Sequence, residues 1–368
     1  DGAVSGTVAG FDASDSANFE DCINLGDISA NSYTAEDKKN HSTDKVYGFS
    51  SIENNKPSFT NCIDAGSANY PFTGVVDNTT GTYNTCYYNS DSYGSSSNYN
   101  AVAKTSDELC QLTTDNLPKW NIATSRYPLP NIVKSETTEG VSSEIWQEVE
   151  AKAIPKVSNF TMLKERIAST SGTAENLIVL NGNIDIAETL EITTPIKIIA
   201  STSAGVTITR GPDDSGSAFT GAFFDNQSTL TLEGITLDGG LTGETSIQAE
   251  APLITSNGSL TLNNCTLQNN NNSNATETGT GIYLQINDTS SLCSFNDVSF
   301  GENSSDEIPH IKIENNTDEK FTFNLGGSLA GGVPSIDMPS TTCINITESL
   351  ALSDGESIKI TLDEYTMG

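Results

Sequence analysis

The sequence predicts an all-β chain, a right-handed parallel β-helix built as two tandem solenoid segments with short capping helices. Three observations predict it. First, Thr229-Leu-Thr-Leu-Glu-Gly-Ile-Thr-Leu237 returns as Ser259-Leu-Thr-Leu-Asn-Asn-Cys-Thr-Leu267 at an offset of 30 residues, and as Leu292-Cys-Ser-Phe-Asn-Asp-Val-Ser-Phe300 at a further 33. Second, apolar residues alternate within each copy. Leu230 and Leu232, and one coil later Leu260 and Leu262, therefore share one face, and the polar pair that interrupts them marks a corner. Third, only 18% of the 368 residues are charged, with Ser, Thr, Asn, Asp and Gly filling the rest, a composition of short strands joined by polar turns. One coil cannot bury its inner face alone, whereas coils stacked at about 4.8 Å can. Parallel crossovers set the right hand.

Along the chain, Val4–Phe11, Val46–Phe49 and Phe72–Val76 read as short strands. Each leads to one copy of an aromatic-x-x-Cys unit: Phe19-Glu-Asp-Cys22, Phe59-Thr-Asn-Cys62 and Tyr83-Asn-Thr-Cys86. Thr105 and Glu108 have capping-box spacing for a short helix. Leu109 and Trp120 are expected to form the lid of this first solenoid, with Tyr127-Pro-Leu-Pro130 closing it. Residues 133–157 read as a linker with a helix over 143–153. Domain boundaries are thus expected at 1–132 and 158–368. In the second segment, Phe160, Leu163 and Ile167 share a helical face after Ser158 or Asn159 as N-cap, and this helix is expected to cover the open end of the solenoid. Alternating runs follow at 177–180, 184–186, 190–192, 196–199, 206–208, 311–313, 321–323, 344–346, 350–352 and 358–360. Loops at 30–45, 87–100, 211–221 and 239–250 are expected to carry contacts.

The charge balance narrows the partners. Lys plus Arg total 17 against 48 Asp plus Glu, a formal charge of −31, which disfavours nucleic acid and anionic membrane surfaces. No apolar stretch reaches the roughly 18 residues of a membrane span, so no membrane insertion is expected within this chain. Asp1-Gly-Ala-Val4 is strand-like, not a signal peptide, and the chain reads as a mature fragment or one segment of a larger protein.

Seven cysteines show no CxxC pair. Cys22, Cys62, Cys86, Cys265 and Cys293 stand where inward apolar residues are expected and read as a core ladder of small hydrophobes; for a disulfide, Cys22 and Cys62 are the first pair to consider. Cys110 and Cys343 read as packed. The run Asn269–Asn272 reads as an exposed turn, with stacked amides as the other reading. Asn78, Asn226, Asn257 and Asn345 head Asn-x-Ser/Thr triplets, which arise by chance in such a composition. A lyase would need a base and an Arg or calcium to neutralise its substrate, yet Arg126, Arg166 and Arg210 lie in unrelated contexts. Asp213, Asp214 and Asp238 would suit a glycosidase pair without specifying one. Asp213-Asp-Ser-Gly-Ser217 is similar to a serine-nucleophile loop, but neither His41 nor His310 has a base's context. No catalytic, cofactor or metal residue is assigned. Calcium in the Asp-rich turns is compatible with the composition but lacks the Gly-Gly-x-Gly-x-Asp repeat.

Residues 1–132 resemble the end of a bacterial GLUG-type surface solenoid through Asp21-Cys-Ile-Asn-Leu-Gly26, Asn61-Cys-Ile-Asp-Ala-Gly66 and the closing run from Cys86 to Pro128. Residues 158–368 resemble pectate-lyase-like β-helices of the adhesin and polymorphic outer membrane protein type through Leu260-Thr-Leu-Asn-Asn-Cys-Thr-Leu-Gln-Asn-Asn270. The Gly-Gly-Ala-Ile strand of polymorphic outer membrane proteins and the Arg-x-Pro-x-x-Arg of pectate lyases are absent. The resemblance implies an extracellular or cell-surface structural and adhesive protein, a stiff acidic rod whose partners are glycans or surface proteins of host or neighbouring cells. The alternatives are a carbohydrate-active enzyme with a β-helix groove and a filament subunit that self-associates end to end.

Overall fold

The computed structural model describes residues 7–9, 18–25, 45–47, 58–66, 82–93, 101–122, 126–130, 149–150, 152–240, 248–301, 309–329, 334–347, 350–352 and 357–363. The chain divides into two compact units, Asp1–Pro155 and Lys156–Gly368. Both consist mostly of short strands in parallel sheets, a solenoid-like repeat architecture with few helices.

In the second unit the strands form three stacked rows. One holds Asn176–Leu180, Ile196–Ala200, Thr229–Glu233 and their successors to Thr342–Ile346; a second holds Ile184–Ile186, Val206–Arg210 and Ile235–Asp238. Ser259–Gln268 and Cys293–Phe300 run through the corner between these two rows and merge them into one eleven-stranded sheet. The third row is a separate seven-stranded sheet from Leu190–Ile192 to Lys359–Asp363. Register follows the repeat. Leu230 pairs with Leu260 and Leu232 with Leu262, then Leu260 with Cys293 and Leu262 with Phe295. All of these are fully buried or within 1% of it, in one continuous core. Each buried Leu contributes about 1.5–3 kcal/mol, against about 1–2 kcal/mol per residue for ordering the backbone, so a single coil does not stand without its neighbours.

Phe160–Ser169 is the expected helix. Asn159 caps it by accepting from Met162 N at 3.0 Å. Leu163 and Ile167 are buried in the core beside Ile178 and Leu190, with Phe160 partly buried against it.

One local motif explains the corners of both units. Asp21, Asn61, Thr85, Asn264 and Asp297 have φ between +50° and +54°, and Gly234 and Gly327 occupy the same corner at +69° and +72°. The left-handed region favours Gly, Asn and Asp, and the sequence supplies one of these at every such corner except Thr85. Four of the corner residues precede a cysteine whose thiol donates to the carbonyl two residues back: Cys22 to Glu20 at 3.2 Å, Cys62 to Thr60 at 3.3 Å, Cys86 to Asn84 at 3.4 Å and Cys265 to Asn263 at 3.3 Å. Cysteine fits there as a small hydrophobe carrying a weak donor. Thr85 is the strained member, because its β-branch crowds the backbone at φ +53°. Thr85→Asn is therefore expected to stabilise the first unit by about 1 kcal/mol, read as a raised denaturation midpoint.

In the first unit the same corner stacks on three rungs. Phe19 pairs with Phe59 and Phe59 with Tyr83, and the rings stack at centroid distances of 4.9 and 5.1 Å. Thr105 and Glu108 make both bonds of the capping box over Ser106–Cys110. Leu109 and Trp120 are buried with Ile63, Tyr87 and Tyr127. Trp120 Nε1 donates to Asp21 at 3.3 Å, and the Tyr127 hydroxyl joins Asn89 and Ser106, each at 3.1 Å. Within the stretch read as a linker, Val149, Glu150 and Lys152 are helical and Ala153 is buried in this cluster. Lys156–Val157 begins the second unit's sheet.

Several expectations need correction. Asn270 and Asn272 are buried rather than exposed: Asn270 donates to the carbonyls of Ala251 and Thr280, and Asn272 to that of Gly279. Tyr87, Tyr88 and Asn89, placed in a contact loop, form a buried strand. Cys343 is exposed, and Cys22 only half-buried. Leu350–Leu352 gives a single bridge, Ser328 to Ala351, instead of a strand. Ser335–Pro339 is a further strand, preceded by Pro334 and ending on Pro339. Phe72–Val76 and the loop segments 30–44, 94–100 and 241–247 lie outside the described residues.

Candidate functional site

Chemistry-bearing side chains gather on the outer face of the seven-stranded sheet. Its strands alternate strictly: Leu190, Phe224, Ile254, Ile282, Ile311 and Ile336 point into the core. The residues between them form an outward row in register, Glu191, Asp225, Thr255, Tyr283, Lys312, Asp337 and Thr361. Each rung thus adds one side chain to a continuous polar line.

Toward the C-terminal end of this line Lys312 Nζ meets Asp337 Oδ2 at 2.7 Å, with side chains only 12% and 14% exposed. The other oxygen, Asp337 Oδ1, is buried without a hydrogen-bond partner. A buried carboxylate oxygen ordinarily finds a donor, so this one is left unsatisfied in the wall of the sheet face. Asp337 lines a cavity of about 230 Å³ together with Thr276, Pro309, Ser335, Lys359 and Thr361. On the preceding rung the Tyr283 hydroxyl accepts from Gln285 at 3.1 Å. Burial, reinforced by Glu314, raises the Tyr283 phenol to about 12, so it stays protonated as a donor.

His310 lies beside this cavity. Its Nδ1 accepts the Ser335 backbone N–H at 3.0 Å and sits 2.9 Å from the Ser335 hydroxyl. An amide can only donate, so the ring carries its proton on Nε2. With its lone pair held by that amide, Nδ1 positions Ser335 rather than serving as its base. Burial lowers the His310 pKa. Its neutral form therefore stabilises the fold above the unfolded-state value near 6.5, and that contribution is lost as pH falls through 6.5 towards the lower folded value. We expect the melting temperature of the second unit to drop between pH 7 and pH 5, and the His310→Gln protein to show a smaller drop in the same titration.

A second surface is a groove of about 540 Å³ at the corner, lined by Ser201, Thr202, Glu233, Asn263, Asn264, Asn296 and Asp297. Glu233 pairs with Lys197 at 2.9 Å. Its rung and that of Asp297 are separated by the one carrying Asn263 and Asn264, so the two acids stand two rungs apart.

The residues weighed from sequence are placed as follows. Cys62, Cys86, Cys265 and Cys293 are buried, Cys22 half-buried, and all seven cysteines are free thiols. Burial raises Cys265 to about 11 and Cys293 to about 12. Asp213 closes its own turn, accepting from Ser215 and Ser217, and so organises a loop instead of activating a serine. Asp238 accepts from Gln268 at 2.8 Å and Asn269 at 2.9 Å. All three arginines are 7% exposed; Arg126 holds Asn121 and Glu150, and Arg210 holds the Gly221 carbonyl and Asn270. Asn226 is fully buried against Ser256 and cannot carry a glycan in this fold. Among the described residues no three His, Cys, Asp or Glu side chains converge as metal ligands, and no helix is long and apolar enough to cross a membrane. Sequence reading missed the Tyr283, Lys312, Asp337 line. Its signal was the alternation Ile336-Asp337-Met338, the partner of Ile311-Lys312-Ile313.

No protein-family model matches the chain, and no curated protein does either. What defines it is its architecture, two units of parallel sheets stacked as solenoid-like repeats, each with its own buried core.

Proposed function

We propose that this chain is the solenoid part of a secreted or cell-surface structural and adhesive protein, its coils right-handed, with a GLUG-like first unit and a pectate-lyase-like second. The polar row on the seven-stranded sheet carries this reading. Successive rungs present hydroxyls, carboxylates and an ammonium at a spacing of about 4.8 Å, a flat ladder suited to the repeating hydroxyls of a glycan chain. The cavity beside Asp337 has room for about one sugar ring, with the Asp337 carboxylate in its wall to accept from a hydroxyl. The test is an array of host, plant and microbial polysaccharides, with reducing-end release followed in the same wells. Binding without release is expected, and Asp337→Ala is expected to weaken it about tenfold, the worth of one hydrogen bond to a charged group. Silence on every glycan would overturn the reading.

One observation favours a second reading, a carbohydrate-active enzyme. Tyr283, Lys312 and Asp337 place a proton donor, a cation and a carboxylate on neighbouring rungs of one face. Sugar release that is lost in Asp337→Asn would establish it and sink the purely adhesive role.

A further inference from the structure

The three corner cysteines of the first unit stand in register on consecutive rungs. Ile63 N donates to Cys22 O at 2.9 Å and Tyr87 N to Cys62 O at 3.0 Å, while the flanking pairs Ile23 with Ile63 and Ile63 with Tyr87 hold the stack. Cys62 Sγ lies 3.5 Å from the carbonyl of Phe19, three residues before Cys22 on the neighbouring rung. Neighbouring parallel strands lie about 4.8 Å apart, inside the Cα separation of about 4.4–6.8 Å that a disulfide spans. Cys62 and Cys86 are buried, and half-buried Cys22 is the member that a reagent can reach.

We propose that Cys22, Cys62 and Cys86 form a thiol–disulfide exchange site that takes small-molecule disulfides and stores one disulfide across neighbouring rungs. Cys22, having lost its proton, attacks one sulfur of the small disulfide, and the first small thiol leaves with a proton. The Cys62 sulfur then attacks Cys22 Sγ; the second small thiol leaves and takes the Cys62 proton. Two protein thiols are oxidised to a disulfide, and the small disulfide is reduced to two thiols. Cys86 follows Cys62 on the next rung as Cys62 follows Cys22, so its sulfur can displace Cys22 from the bond with no net redox change, the proton passing from Cys86 to Cys22. One disulfide and one free thiol are the end state.

Two features support Cys22 as the entry point. The neighbouring Cys62 thiol brings its thiol down to about 7, while Cys62 is itself raised. Glu20 and Asp21, the carboxylates beside it, are both paired with Lys119, at 3.4 and 3.8 Å. Stacked Cβ atoms at rung spacing are farther apart than the roughly 3.8 Å of a relaxed disulfide, so the bond is expected to be readily reducible. The second unit supplies internal references. Cys265 faces Val298, and Cys293 faces Leu260 and Phe323, so neither has a cysteine on the next rung.

The test incubates the full chain, with exposed Cys343 replaced by Ser, with oxidised glutathione, then alkylates it and digests it without reduction for mass spectrometry. Expected are Cys22–Cys62 or Cys62–Cys86 linked peptides, reversed by dithiothreitol, with Cys265 and Cys293 unmodified. In Cys62→Ala the linked peptides are lost and glutathione stays on Cys22, since Cys22 and Cys86 are two rungs apart. If Cys62→Ala fails to keep its β circular dichroism, Cys86→Ala replaces it, and must yield Cys22–Cys62 as the sole ladder product. Mixed disulfides alone in the parent protein, three unreacted thiols, or a Cys22–Cys86 link would each overturn the proposal.

Discussion

Replacing Leu262 by Ala is expected to cost about 3–5 kcal/mol and to raise hydrogen exchange across the rungs from residue 254 to residue 300. Leu262 is fully buried and stands in register between Leu232 on one rung and Phe295 on the next. Truncation removes apolar contact from both neighbours, and the cavity cannot collapse because backbone hydrogen bonds hold the rung spacing. Leu262→Asp is expected to abolish protection over the whole stretch, since the carboxylate would have no partner in a row of Leu and Phe. Hydrogen exchange by mass spectrometry is the right measurement, because two units need not unfold in one transition. Loss confined to the Ser259–Gln268 peptide would show that rungs unfold independently and would contradict this coupling.

The second large effect centres on Arg210 and Asn270. Arg210 is 7% exposed, lies 4.9 Å from the Phe223 ring centre, and donates to the Gly221 carbonyl at 2.5 Å and to Asn270 Oδ1 at 2.9 Å. Burial lowers its pKa to about 10, so it remains charged at neutral pH. Asn270 in turn satisfies Ala251 and Thr280. Asn270→Leu would take one partner from a buried guanidinium and strand two carbonyls, for an expected loss of about 3–5 kcal/mol. Arg210→Met with Asn270→Leu is expected to recover part of that loss, because it leaves no buried charge behind. Chemical denaturation of the single and double variants measures this. Additive losses would mean that the two side chains do not form one network.

These two sites also separate what could be read from the chain alone from what could not. The rung register was legible: the unbroken offsets of 30 and 33 residues reappear as the pairs Leu230 with Leu260 and Leu260 with Cys293. Period-two alternation on a parallel strand has one face to bury, so local pattern and tertiary packing demand the same answer. The Thr105–Glu108 box and the Asn159 cap were legible for a similar reason, since a cap is satisfied within four residues.

Where the polar side chains ended up was not legible. Asn270 and Asn272 have the composition of an exposed turn, and only the neighbouring coil supplies the carbonyls that draw them inside. The line of Tyr283, Lys312 and Asp337 spans 54 residues of sequence and three rungs of sheet, and loop lengths between coils, which vary freely, decide which outward residues meet. The same holds for the thiols. Sequence placed Cys22, Cys62 and Cys86 in one repeated context; stacking put them in register on consecutive rungs. By itself the sequence determined the strand pattern, the corners and the inward face, because alternation and left-handed turn residues act over a few bonds. Tertiary structure alone decided the chemistry of the outer face and the contacts of the cysteine ladder, because those depend on which coil lies above which.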